Sequence, residues 1–114
     1  MLAYKYRFHR RNAINYLYKN GKSARSGPFQ LRYIDNRHDH SRVAVVVSRK
    51  VDKRATVRNR IRRRIYEIIR ANWDNLSPRK DILISVFEGG VADMPAAELQ
   101  QEVLGLLKKA QLLR

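Results

Sequence analysis

Arg58-Asn59-Arg60-Ile61-Arg62-Arg63-Arg64 packs five arginines into seven positions and still keeps an apolar residue at helical spacing. That spacing continues on both sides. With Val57 at the origin and about 100° per residue, Ile61, Ile65, Ile68 and Ile69 fall within about 120° of it, a single stripe to bury. Arg60, Arg62, Arg63, Arg64 and Arg70 occupy the remaining arc, with Asn59, Tyr66 and Glu67 among them. Arg58 projects at the edge of the stripe, toward a neighbouring groove. The pattern predicts a helix from about Lys53 to Asn72 that buries one side and displays a basic comb on the other.

The flanking segments supply the layer for this helix to cover. Val43-Ala44-Val45-Val46-Val47 is a continuous, largely β-branched run, the pattern of a central strand covered on both faces. Phe29-Gln30-Leu31-Arg32-Tyr33-Ile34 alternates as a second strand, joined to the first by the polar connection Asp35 to Ser41. After the break at Ser77-Pro78-Arg79-Lys80 and the lead-in Asp81, Ile82-Leu83-Ile84-Ser85-Val86-Phe87 reads as another apolar strand, ended by Glu88-Gly89-Gly90. Upstream, Asn12 can cap a short helix that ends near Asn20-Gly21, with Gly21 in the left-handed terminal position. Ile14, Leu17 and Tyr18 share one face of it, and Lys22 to Pro28 follows as a loop. A last helix begins at Asp93 or Met94 with Pro95 in its first turn, and Leu99, Val103, Leu106, Leu107 and Ala110 form its stripe. The fold class expected is α/β (α+β): a single small domain over 1–114, with three helices on a sheet of about four strands, in the order helix, strands, helix, strand, helix.

Charge is distributed as unevenly as the helix suggests. Residues 1–64 carry 19 basic and 3 acidic side chains, whereas 65–114 carry 6 and 7. A binding surface is therefore expected from the first part and scaffold from the second. Arg49, Lys50, Lys53, Arg54, Arg58, Arg60, Arg62, Arg63 and Arg64 stand against one acid, Asp52, over residues 49–64. An exposed helix needs some charge, but a solvated face would balance such a run with acids one turn away; a phosphate backbone balances it instead, by counterion release. A membrane is the weaker match. No run approaches the roughly 18 to 20 apolar residues of a span, and the basic helix has no bulky Leu-rich or aromatic face for an interface.

With no cysteine the chain has no disulfide framework or thiolate metal site. The first twenty residues contain no uninterrupted apolar core of a signal peptide, so the cytoplasm is the expected compartment. Tyr4, Tyr6, Phe8, Tyr16, Tyr18, Phe29 and Tyr33 alternate with cations in the first third, a composition suited to stacking unpaired bases while cations hold phosphates. Several must also serve the core. Gln30, Arg32 and Ile34 form the more polar face of their strand and the better cleft wall. His38 and His40, two apart in a polar turn, are expected to be solvated and not metal ligands, and His9 to lie on the surface. The acids are singletons on different elements, so no catalytic carboxylate pair or Ser/His/Asp set is expected.

Arg42-Val43, then Ser48-Arg49-Lys50, Ala55, Arg58-Asn59-Arg60 and Arg62-Arg63, resembles the central signature of the bacterial ribonuclease P protein subunit family. There a strand ending in Ser-basic-basic leads to an Arg-Asn-Arg helix. Ile14, Tyr18 and Gly21 extend the resemblance to the N-terminal helix, so that it covers roughly residues 7 to 88. Ile14 stands where many members carry an aromatic residue and Ala44 where glycine is usual. The resemblance implies a small basic domain, similar to ribosomal proteins, with a left-handed βαβ crossover where base rates alone would favour a right-handed one. It implies that Arg49, Lys50, Lys53, Arg54, Arg58, Asn59, Arg60, Arg62, Arg63 and Arg64 bind a catalytic RNA. It implies that Ile14, Tyr18, Arg32, Ser48 and Arg58 contact the single-stranded 5′ leader of precursor tRNA. Hydrolysis would be carried by the RNA with Mg²⁺, with no tight protein metal site, and the protein would be monomeric within the ribonucleoprotein. The competing reading from composition is a ribosomal or ribosome-assembly protein that binds structured RNA without a nuclease role.

Overall fold

The computed structural model describes residues 2–8 and 11–113; His9 lies outside them. Helix α1 spans Arg11–Asn20, strand β1 Lys22–Ser26, β2 Phe29–Asp35, β3 Arg42–Val47, helix α2 Ala55–Ala71, strand β4 Lys80–Val86 and helix α3 Ala96–Lys109. The four strands form one mixed sheet in the order β1-β2-β4-β3, with β1-β2 and β2-β4 antiparallel and β3-β4 parallel. α2 is the crossover between the two parallel strands.

Strand parity sorts the side chains into two layers. Phe29 and Leu31 of β2, Val43, Val45 and Val47 of β3, and Ile82, Ile84 and Val86 of β4 pack against Ile61, Ile65 and Ile69 of α2 and Leu99, Val103, Leu106 and Leu107 of α3. The opposite face carries a smaller cluster in which Leu83 and Ala44 meet Leu17 of α1 and Phe8 of the N-terminal segment, with Ile14, Ile34 and Val46 around it. The sheet is thus sandwiched between α1 and the α2–α3 pair. The large cluster excludes water from about twenty apolar side chains and is the main source of stability.

Several sequence expectations change. Lys22 to Pro28 is not a loop: its first five residues form β1, which turns into β2 through Gly27-Pro28. Gly27 adopts φ 55°, the left-handed conformation wanted at the first position of a two-residue hairpin turn, and the proline ring fixes the second. Gly21 is not left-handed. It is small because a Cβ there would sit 2.7 Å from the Leu17 carbonyl oxygen and 3.1 Å from that of Tyr33. Asn12 lies within the first turn of α1 instead of capping it, and α2 is shorter at both ends than Lys53 to Asn72. The chain after β4 makes a 3-10 turn, Gly89–Asp93, so α3 starts at Ala96 and not at Asp93 or Met94.

The β3 run is buried on both faces as expected, but β3 is an edge and not a central strand. Its free backbone is covered from within the chain. Arg7 bridges Val43 in parallel, the Phe8 amide donates to the Val43 carbonyl at 3.3 Å, and the Val45 amide donates to the Tyr66 hydroxyl at 3.1 Å. Tyr66 therefore leaves the solvent arc assigned to it and is buried, 4% exposed. Buried edge amides need partners, and the phenol supplies one.

Candidate nucleic-acid interface

The β3–α2 loop and the start of α2 build the first part of the site. Asp52 accepts from the Arg54 amide at 2.9 Å and pairs with its guanidinium at 3.0 Å, and the latter contact holds the Asp52 carboxyl below the ordinary carboxylate value. Arg58 folds back and donates to the carbonyls of Asp52 and Lys53 at 3.0 and 2.9 Å. It thus faces a groove, as its edge position implied. Arg49, Lys50, Lys53, Ala55 and Arg58 line that groove, a shallow recess of about 600 Å³. Ser48 is exposed directly after β3, and its carbonyl accepts from Val51 at 3.1 Å to turn the loop.

The comb itself divides in two. Arg63 is exposed, and Arg62 donates to the Asn59 side chain one turn earlier, which aligns both along the solvent face. Arg64 turns the other way. Its guanidinium donates to the carbonyls of Val91 and Ala92 at 2.8 and 2.9 Å and also to that of Met94. Arg60 follows it, donating to Ala92 at 3.0 Å with Asp93 at 3.7 Å. These two arginines fasten the segment between β4 and α3 onto α2, so in this structure they are not free members of a comb.

Across the N-terminal segment from α2 lies α1. Phe8 and Ile14 on one side and Asn59, Arg62 and Arg63 on the other enclose a cleft of about 460 Å³, floored by Ala44 and Val46. Residues assigned separately to the helix surface and the α1 surface thus line one cleft from opposite sides. Farther along α1, the Arg32 guanidinium lies 5.1 Å from the centre of the Tyr18 ring, within cation–π range, and donates to the Tyr18 carbonyl at 3.2 Å. The Tyr18 hydroxyl meets Ser85 Oγ at 3.4 Å. The ring is 43% exposed, available on its outer side.

Two candidates come only from the sheet register. Arg25, Gln30, Ser85 and Val46 form one row across β1, β2, β4 and β3 on the α1 face. Phe87 follows Ser85 by two residues, is 46% exposed, and has the Arg25 guanidinium 5.0 Å from its ring centre. A second exposed aromatic–cation pair therefore stands beyond Tyr18 and Arg32. The alternation Leu83, Ser85, Phe87 was the available signal for Phe87; Arg25 was hidden by the reading of its segment as a loop.

The chain is similar to known proteins over almost its whole length. A family model described as Ribonuclease P matches residues 2–111. The ribonuclease P protein component of Streptococcus pyogenes serotype M5 is 32% identical over 108 residues, covering 95% of this chain and 88% of that protein. That of Synechocystis is 38% identical over 76 residues, covering 66% and 61%. Among solved structures, the Staphylococcus aureus RNase P protein superposes with a TM-score of 0.85 at 27% identity, over 96% of this chain and 98% of that one. The Thermotoga maritima RNase P protein gives 0.81 at 28% identity, over 90% and 96%. With a family model spanning nearly the whole chain, a relative 32% identical over 95% of it and solved structures superposing at TM-scores of 0.81 and 0.85, this chain belongs to the ribonuclease P protein component family.

Proposed function

We propose that the chain serves a ribonuclease P ribonucleoprotein by binding two RNAs, and that hydrolysis at the 5′ end of the mature tRNA sequence is carried by the RNA subunit with Mg²⁺. The basic loop and the solvent side of α2, from Arg49 and Lys50 through Lys53, Arg54 and Arg58 to Asn59, Arg62 and Arg63, dock the catalytic RNA through its phosphates. The α1 face of the sheet takes the single-stranded leader of precursor tRNA. There Ile14 offers apolar contact, Tyr18 and Phe87 stack on bases, and Arg32 and Arg25 sit beside those rings to hold phosphates, with Ser48 at the strand end.

The observation that carries this reading is the pairing of two exposed aromatic rings, Tyr18 and Phe87, with Arg32 and Arg25, next to a cleft walled by Arg62 and Arg63. A solvated surface has no need to hold bare rings against cations. Asp35 is paired with Lys80, Asp39 with His40 and Asp52 with Arg54, and each of these contacts lowers the carboxyl's pKa. The protein's part is affinity and positioning, and the Mg²⁺ belongs with RNA phosphates.

The test is affinity for precursor and mature tRNA in the reconstituted complex. Tyr18→Ala and Arg32→Ala should weaken precursor binding, by about 1 to 3 kcal/mol for a lost stacked base, and leave mature tRNA unaffected. Equal losses on both substrates would remove the leader assignment. A chain that binds structured RNA tightly yet gives no leader-dependent effect in wild-type form would favour a ribosome-assembly role.

A further inference from the structure

Helix α1 turns Leu17 to the sheet and Ile14 and Tyr18 to the leader side, which leaves its outer side without an assigned role. At about 100° per residue, Arg11, Asn12, Asn15, Tyr16 and Lys19 share an arc of about 140° there, centred almost opposite Leu17. All five are exposed, and Tyr16 keeps 58% of its surface open. Among the described residues, none of these five side chains has a hydrogen bond, an ion pair or a ring contact. Asn20, past the arc, closes the helix end by donating to the Tyr16 carbonyl at 3.2 Å.

Such an arc is a poor choice for a helix whose only task is to face water. Asparagine and tyrosine are weaker helix formers than the Lys, Glu, Gln or Ala of an ordinary solvated face, because the short amide competes for backbone hydrogen bonds and the ring loses rotamer freedom. No contact within the chain offsets that cost. α1 also contains no carboxylate, so Arg11 and Lys19, about 12 Å apart along the axis, keep uncompensated charges at the two ends of the arc. Asp35, which shares a small recess with Asn20 beyond the helix end, is taken up by Lys80. What remains is a row of amide and phenol groups between two cations. The wide, shallow minor groove of base-paired RNA has the matching chemistry, with 2′-hydroxyls and base edges across its floor and phosphates beside them. An anionic membrane would need an apolar face that this arc lacks.

We propose that the outer face of α1 docks a base-paired segment of the RNA subunit through its minor groove, with Asn12, Asn15 and Tyr16 toward 2′-hydroxyls and base edges and Arg11 and Lys19 toward phosphates. This rests on the RNA-binding reading above and adds to it a contact on the side of α1 that turns away from the leader. The stem of the precursor is the other duplex at hand, but mature tRNA contains it too, and a contact there would not help to tell the two substrates apart. α1 and α2 lie on opposite faces of the sheet, so the subunit grips the domain from two sides with the leader cleft between them.

The experiment measures affinity of the full chain for the RNA subunit across a salt series, hydroxyl-radical footprints of the subunit, and urea unfolding midpoints. Asn12→Ala combined with Asn15→Ala should weaken subunit binding about fivefold or more, the worth of one net hydrogen bond. The same pair should hold or raise the unfolding midpoint, since alanine is the better helix former. Affinity lost from a helix that is no less stable is a result a merely structural role would not give. Lys19→Gln should flatten the salt slope by about one unit, and Tyr16→Ala should weaken binding severalfold. In the footprint, a base-paired segment protected by the wild type should become open with the asparagine variant. Wild-type subunit affinity for all these variants, with Arg63→Ala still weakened, would overturn this inference alone. So would losses seen only for precursor and mature tRNA in the complex, or a protected segment that is single-stranded. If Arg63→Ala were silent too, the RNA-binding reading itself would fall.

Discussion

Neighbouring arginines on α2 do different work because a helix turns about 100° per residue. Arg63 faces solvent, whereas Arg64 reaches three backbone carbonyls of the segment that leads into α3. Those carbonyls lie in and just after the 3-10 turn, where Val91 also accepts from the Met94 amide and Ala92 from Arg60, so the guanidinium adds a second tie between this turn and α2. Arg64→Ala should therefore cost about 1 to 3 kcal/mol of stability, measured by urea unfolding, while Arg63→Ala leaves the unfolding midpoint in place and weakens RNA-subunit binding. Arg60→Ala should fall between them, since it loses one carbonyl bond and an exposed 3.7 Å ion pair that is worth little. The run of arginines announced a polyanion partner; which of them keep their charge for it depended on where the chain returns after β4.

At the scale of elements, the edge of β3 shows how an apolar run can mislead. Burial on both faces is a property of side chains, and the run revealed it; position in the sheet is a property of backbone pairing, which side-chain pattern does not report. Tyr66 closes that edge. Burial raises its pKa above the ordinary 10.0, and the opposing effect of the Val45 amide is smaller. A raised folded-state pKa means that the native phenol keeps its proton where the unfolded one loses it, so this contribution is complete below pH 10 and declines as the pH rises through the folded value. Tyr66→Phe should cost about 1 to 3 kcal/mol at neutral pH by leaving the Val45 amide unpaired. The difference between wild type and Tyr66→Phe should shrink as urea unfolding is repeated at increasing pH above 10.

For the whole molecule, the cationic excess of residues 1–64 is arranged over α1, the outward side of α2 and the loop before it, while the inward faces of β2, β3, β4, α2 and α3 build the core. Binding of the RNA subunit should be steeply salt dependent, and Arg62→Ala with Arg63→Ala should lower the log–log slope by about two units, one per lost phosphate contact. An unchanged slope would mean that these side chains do not meet phosphate. Much of this was legible in the chain alone: periodicity decided the three helices and the stripes they bury, charge asymmetry decided the class of partner, and the order of Ser48, Arg58, Asn59 and Arg60 decided the family, because each is a pattern of near neighbours. Tertiary structure alone decided the rest. β1 has too little apolar character to be recognised until β2 pairs with it, the Arg25–Phe87 pair requires three strands in register, and the cleft that Ile14 and Arg63 line exists only because α1 and α2 come together over β3. Contacts between residues far apart in sequence have no signature in local spacing; they arise when separate buried faces are forced to share one core.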